Sequence, residues 1–204
     1  IANEPACQRA ELAFFDPYIQ VAARLQALHQ MGHSTDKIEL IVLGGTWSDY
    51  PASYQYWFIR ELFRALNEWP HSPQHIEKRT DWYRSFGLQN TEEALSSFVA
   101  YQQATINAGA ATYNQAFHEL YDSSQAHQKA WSHMCATFDD LLEQQHRNET
   151  AACRVVGLVI ETRPDTITPD NLRMFRQLGC TKIQIGIQST RQEILDANLR
   201  HMTV

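Results

Sequence analysis

The sequence lacks any apolar run long enough to cross a membrane: the longest is about six residues, against roughly 18 for a span. Its start, IANEPACQRAELAFFDP, has no basic region followed by an apolar core, so it is not a secretory signal. There is no initiator Met, and the chain is read as a segment of a longer protein. Cysteine is scarce: Cys7, Cys135, Cys153 and Cys180 stand far apart, with no CxxC pair. That spacing excludes a zinc or iron–sulfur site built from these residues alone and fits a reducing, cytoplasmic compartment. GxSxG, Walker and GxGxxG motifs are missing, which removes nucleophile-elbow hydrolases, P-loop enzymes and dinucleotide-binding folds. No histidine cluster is read as a metal site.

Positive charge is also short. Lys and Arg number 17 against 23 Asp and Glu, a net −6, so the chain is not one that wraps nucleic acid over its whole surface. The deficit lies in residues 1–146, with 9 basic against 17 acidic residues; 147–204 carry 8 against 6. A basic patch on that second part is compatible with these numbers, as is an unevenly charged solvated surface.

Three β-branched apolar runs dominate what is present. Ile38–Leu43 (IELIVL) ends in Gly44-Gly45-Thr46, Arg154–Ile160 ends in Glu161, and Lys182–Ile187 ends in Gln188. Runs without alternation read as strands buried on both faces of a parallel sheet. Polar residues at the C-terminal ends of such strands lie where α/β enzymes build their sites. Asp16-Pro17 and Thr168-Pro169 read as N-caps with Pro at the first helical position. Helices are expected from Pro17 to Gly32, with a Val21, Leu25, Leu28 stripe, from near Pro51 to about Leu66, from Pro169 to Leu178, and from Thr190 to about Asn198. Residues 1–15 read as an irregular entry. The strand–helix alternation predicts an α/β fold, a parallel sheet or partial barrel with right-handed crossovers.

Residues 71–147 differ. After the breaker cluster Trp69–Pro73 they are rich in Gln, His and Ala and show helical spacing over about 91–108, 110–121 and 124–147. Phe98, Tyr101, Phe117, Leu120, Trp131, Phe138 and Leu141 are assigned to their inward face. The predicted organisation is a core of 1–70 with 148–204, interrupted by a helical insertion at 71–147.

NEPA at 3–6, FDPYIQVAARLQALHQMGHSTDKIELIVLGGTWSDYP at 15–51, YQYWFIRELFRALN at 54–67, NETAACRVVGLVIETRPD at 148–165 and LGCTKIQIGIQST at 178–190 resemble the radical S-adenosylmethionine (SAM) domain of the Elongator catalytic subunit family. The resemblance covers about two thirds of the chain and continues to the NLRHMTV end. It implies a partial TIM-like (βα) barrel of the radical SAM type. It further implies a tRNA uridine-modifying enzyme that forms carboxymethyl-type uridine at the wobble position. The implied cofactors are SAM, a 4Fe-4S cluster whose cysteines precede Ile1, and acetyl-CoA on an acetyltransferase-like domain after Val204. The implied partners are tRNA and either Elongator-like subunits or a second copy, with no membrane.

For the site, the resemblance implies that Gly44, Gly45 and Thr46 meet the SAM amino group, that Glu161 takes the ribose hydroxyls, and that Gln188 and Arg200 complete the cleft. In that reading Arg200 clamps the SAM carboxylate and Arg163 meets substrate. The residues alone leave other readings open. The glycines suit a tight turn, Glu161 suits an ion pair with Arg163, Gln188 suits backbone groups, and Arg200 suits plain surface charge. His33 and His201 resemble family histidines but read as solvated. A radical SAM enzyme of small molecules and a non-catalytic tRNA-binding scaffold are the alternative functions.

Overall fold

The structure, a computed structural model, describes residues 5–200 and 202–204, apart from the side chains of Glu92, Leu95 and Phe98. The start of the NEPA segment, Phe98 and His201 therefore lie outside the described residues. The chain divides into two compact units, one of residues 34–67 with 136–204 and one of 1–33 with 68–135.

The first unit holds the sheet. β1 (Lys37–Val42), β2 (Arg154–Thr162) and β3 (Lys182–Ile185) pair in the order β1-β2-β3, and both pairings are parallel. The fold is α/β, as the alternation of apolar runs and capped helices predicts. β2 occupies the centre, and Gly157–Ile160 within it are buried on both faces. The expectation of full burial fails for β1 and β3. Ile41 is 53% exposed, on the same strand face as the exposed Lys37 and Glu39, and Ile185 is 46% exposed, because those faces are left largely uncovered. β3 ends two residues early, since Gly186 still bonds to the Thr162 carbonyl at 3.1 Å while Ile187 turns back to Ile185 at 3.1 Å.

α3 (Ala52–Asn67) follows β1 and packs on β2 and on α8 (Phe138–Asn148). Its apolar positions bury Trp57, Ile59, Leu62, Phe63 and Leu66. Glu61 is fully buried in the same helix, and Arg60 donates to its Oε1 from Nε at 3.0 Å and Nη2 at 2.7 Å. Asn148 joins three elements. Its amide donates to Asn67 Oδ1 at 2.7 Å and to the Cys153 carbonyl at 3.1 Å, and its oxygen accepts from Val155 N–H at 2.8 Å. This buried amide sets where β2 starts relative to α3 and α8. α9 (Pro169–Gln177) and α10 (Gln192–Ala197) complete the unit. Thr168 caps α9 through its hydroxyl, which accepts from Asn171 N–H at 3.1 Å.

The second unit is helical: α1 (Pro5–Leu12), α2 (Pro17–Gln30), α4 (Pro73–Ser85), α5 (Glu92–Asn107), α6 (Tyr113–Phe117) and α7 (Gln125–Trp131), with a π turn at His118–Asp122. Two sequence expectations change here. Residues 5–12 form a helix rather than an irregular entry, and the predicted 124–147 helix is broken between Trp131 and Phe138. The inward face also differs. Leu120 and, in the sheet unit, Leu141 are buried, but Tyr101 is 73% exposed, while Phe117 and Trp131 are each 40% exposed. Gln102 takes the buried position beside Tyr101 and donates to Glu119 at 2.6 Å.

Asp16 is the polar centre of this unit. It is completely buried and caps α2 by accepting from Ile19 N–H at 2.9 Å. Its other oxygen accepts from Arg79 Nε at 2.8 Å and from the Tyr83 hydroxyl at 2.5 Å. The Arg79 guanidinium in turn lies 4.8 Å from the Tyr18 ring centroid. A buried carboxylate is tolerated because donors on three residues satisfy it.

Two outcomes follow for this unit. Asp16→Ala is expected to lower stability by about 3–5 kcal/mol, since it removes the buried carboxylate that the Ile19 N–H, Arg79 and Tyr83 all donate to, and urea unfolding measures it. His127 supplies the second: burial holds its imidazole pKa below the usual 6.5. The unfolded state therefore binds the proton first, so stability is held above pH 6.5 and lost as pH falls below it. Unfolding midpoints between pH 5 and 8 for wild type and His127→Gln are expected to converge at high pH and diverge at low pH, with wild type the more acid-sensitive.

Candidate functional site

Parallel pairing brings the C-terminal ends of all three strands to one edge of the sheet. At that edge Val42 stands opposite Ile160, Glu161 opposite Gln184, and Thr162 opposite Ile185. The segments that leave this edge contain most of the residues singled out from sequence.

After β1 the chain passes through Leu43 to Gly44, whose φ of +140° excludes comfortable replacement by an L-residue. Among the described residues, and leaving aside the adjoining ones in the chain, nothing lies within 4 Å of where a Cβ at Gly44 would stand, and at Gly45 the Tyr50 hydroxyl lies at 4.0 Å. The peptide edges of this turn are exposed, so a ligand can approach them closely. Thr46 precedes the 3₁₀ turn Trp47–Asp49 and does not use its hydroxyl to cap it. Glu161 is exposed on the next-to-last position of β2, and among the described residues its carboxylate has no ion-pair partner. The alternative Glu161–Arg163 pair is not formed. Arg163 instead grips Asp165, with Nε to Oδ1 at 2.9 Å and Nη2 against Oδ2. Thr166 braces the same loop by donating to the Arg163 carbonyl at 2.8 Å and by a 2.8 Å bond with the Thr162 hydroxyl.

Gln188 sits in the left-handed region, φ +61°, a conformation that costs a side-chain-bearing residue free energy and clusters at functional sites. Its amide folds back to donate to the Gly186 carbonyl at 3.3 Å, and a Cβ at Gly186 would meet that amide nitrogen at 2.7 Å. Arg200 is half-buried beyond α10, held through its N–H to the Leu195 carbonyl at 2.9 Å. Among the described residues its guanidinium makes no hydrogen bond or ion pair with Gln188 or Glu161. The structure thus sets the Gly44–Thr46, Glu161 and Gln188 segments along one edge through their strands, whereas no strand places Arg200 there.

Sequence reasoning missed Trp47 and Gln55. Trp47 is 4% exposed and lies with Phe58 at 5.3 Å and Tyr50 at 5.9 Å between ring centroids. The Trp following GGT was a visible signal, masked by the stronger Tyr54, Trp57, Phe58 stripe.

No metal centre is built here: among the described residues no group of three His, Cys, Asp or Glu gathers to hold an ion. Burial pushes the Cys153 thiol up to about 11 and raises that of Cys180, so both stay protonated at neutral pH. A cavity of about 480 Å³ lies between Lys37, Phe63, Gln145 and Arg154, at the starts of β1 and β2 rather than at their C-terminal ends.

These features define an α/β protein whose loops after three parallel strands leave one edge of the sheet. No family model matches the chain. It is 31% identical over 193 residues to the tRNA uridine(34) acetyltransferase of Methanocaldococcus infernus and 30% identical over 202 residues to that of Methanocaldococcus jannaschii. These alignments cover 95% and 99% of the chain but 24% and 25% of the relatives. Elongator complex protein 3 of Schizosaccharomyces pombe is 27% identical over 97% of the chain. The solved structure of archaeal M. infernus Elp3 with an N-terminal deletion superposes at a TM-score of 0.57, with 29% identity over 93% of the chain and 29% of that structure. The chain is a homologue of the tRNA uridine(34) acetyltransferases and Elongator complex protein 3, and it spans about a quarter of the length of these curated relatives.

The turn after β1 offers a direct check. Gly44→Ala is expected to destabilise the protein by about 1–3 kcal/mol through backbone strain alone, since no neighbour opposes the methyl group. Gly45→Ala is expected to change stability by less than about 0.5 kcal/mol. Thermal unfolding of both variants reads the difference.

Proposed function

We propose that this chain is the SAM-binding part of a radical SAM enzyme that modifies the wobble uridine of tRNA, forming a carboxymethyl-type product. The similarity over 95% of the chain to a protein named tRNA uridine(34) acetyltransferase carries this reading. The parallel sheet, with glycines and a free carboxylate at one edge, supports it. In the same reading the sheet is part of a TIM-like barrel, acetyl-CoA binds an acetyltransferase-like domain, and the enzyme acts alone, as a dimer or with Elongator-like subunits.

The residues present fit SAM in part. The open faces of Gly44 and Gly45 admit a close-lying group, with backbone carbonyls and the Thr46 hydroxyl as acceptors for an ammonium. Glu161, free of any ion pair among the described residues, can accept both hydroxyls of a ribose. Gln188 presents an amide from a strained position on the same edge. Arg200, half-buried after α10, supplies the guanidinium for the ligand's carboxylate in this reading. Arg163 is held by Asp165 and serves to fix the loop after β2, releasing its fork to a substrate phosphate only on exchange of partners. The iron–sulfur cluster, which supplies the electron for reductive cleavage of SAM when bound, fits no donor set among the described residues; Cys153 and Cys180 are buried, protonated thiols. No helix among the described residues is long and apolar enough to cross a membrane.

Calorimetric titration of SAM into the intact protein tests the site. Glu161→Ala is expected to weaken binding by one to two decades, about 1–3 kcal/mol, through loss of charged acceptors for two hydroxyls. Arg200→Ala is expected to weaken it similarly through the carboxylate clamp. Unchanged affinity in both variants rejects the site.

A further inference from the structure

Three buried polar atoms in the segment after the Gly44–Gly45 turn have no hydrogen-bond partner among the described residues: Trp47 Nε1, Ser48 Oγ and Gln55 Oε1. Trp47 is 4% and Gln55 5% exposed, and all three residues fall between the end of β1 and the second turn of α3. A buried polar group without a partner is costly, and native proteins rarely keep several together without a use for them. The chemistry of each atom is fixed. An indole nitrogen only donates. The Gln55 amide nitrogen already donates to the Tyr50 carbonyl at 2.8 Å, so its free atom is the acceptor oxygen. The Ser48 hydroxyl does either. The segment thus holds a donor, an acceptor and a group of either kind, among the rings of Trp47, Tyr50, Tyr54 and Phe58.

We infer that the Trp47–Gln55 segment reads the imide edge of a uracil base. That edge presents an acceptor, a donor and an acceptor in sequence, from O4, N3–H and O2. The complement is Trp47 Nε1–H on one carbonyl, Gln55 Oε1 on N3–H and the Ser48 hydroxyl on the other carbonyl. Cytosine presents an acceptor at N3, which faces the Gln55 oxygen with no proton between them. The site therefore discriminates by leaving an acceptor pair unsatisfied, which is the stronger form of rejection. The inference rests on the tRNA-uridine reading and supplies the base-recognition element that reading lacks.

The atoms are covered in this structure, so the turn must open to admit a base. Thr46 makes no side-chain cap, the 3₁₀ turn is three residues long, and Gly44 and Gly45 precede it with free space around them. Its two backbone bonds, Asp49 N–H to Thr46 carbonyl at 3.1 Å and Tyr50 N–H to Trp47 carbonyl at 3.3 Å, are local, and opening also breaks the 2.8 Å bond from Gln55 to the Tyr50 carbonyl.

The test measures affinity of the intact protein for an anticodon stem-loop RNA bearing uridine, N3-methyluridine or cytidine at the wobble position. Wild type is expected to favour uridine over both alternatives by about tenfold or more, the value of one well-made hydrogen bond and one avoided clash. Trp47→Phe keeps a ring and removes the donor. It is expected to cut the uridine preference about tenfold while leaving the melting temperature of the free protein unchanged or raised, because the lost N–H was unsatisfied. A lower melting temperature with the uridine preference intact overturns the inference and assigns Trp47 to the core alone. Equal wild-type binding of N3-methyluridine and uridine overturns it without any variant. Failure of the wild type to bind any of the three RNAs rejects the tRNA reading itself, and the inference with it.

Discussion

The pairing of β2 on both sides is the constraint from which the sheet unit follows. Because β1 and β3 both run parallel to it, every chain segment leaving a strand does so at the same edge, and no hairpin can carry it elsewhere. A parallel sheet also needs long connections. Here α3 and α9 begin two of them, and α3 is clamped by α8 through Asn67, Gln144 and Asn148. The Asn148 amide reaches the Val155 N–H and so fixes the point from which the β2 register is counted. Slippage of one residue would turn Glu161 to the opposite face of the sheet.

The helical unit solves a different problem with the same device. Its helices are short and polar, and their apolar stripes are thin. Asp16 compensates by serving as cap, ion-pair partner and hydroxyl acceptor at once, so that α2 and α4 share one buried charge. Such a centre adds little stability beyond what an apolar core would supply, but it defines which residues meet. Tyr18 extends the arrangement, donating to Glu68 at 2.7 Å while its ring carries the Arg79 guanidinium.

The loops at the C-terminal edge show how a strand end becomes a site. The segment after β1 is open and glycine-rich, that after β2 is braced by its own Arg163–Asp165 and Thr162–Thr166 pairs, and that after β3 is strained at Gln188. An open turn, a rigid loop and a strained residue side by side allow one wall to adapt while another holds position.

The strands of the sheet and two helix starts were legible from residue order. Unbroken β-branched runs gave the three strands, Asp16-Pro17 and Thr168-Pro169 gave two helix starts, and the GGT, Glu161 and Gln188 positions followed from where those runs stop. These features are local: backbone propensity and capping act within a few residues, so a sequence displays them directly. Burial was not local. Whether Ile41 and Ile185 are covered depends on what packs against their face of the sheet, and whether Tyr101 or Gln102 faces inward depends on the packing of a helix with a thin stripe. The meeting of Asp16 with Arg79 across 63 positions, the engagement of Arg163 by Asp165 instead of Glu161, and the unpartnered Trp47 and Gln55 atoms are facts of the tertiary structure alone. Hydrogen-bond partners of that kind are chosen by where helices come to rest, which no spacing in the chain encodes.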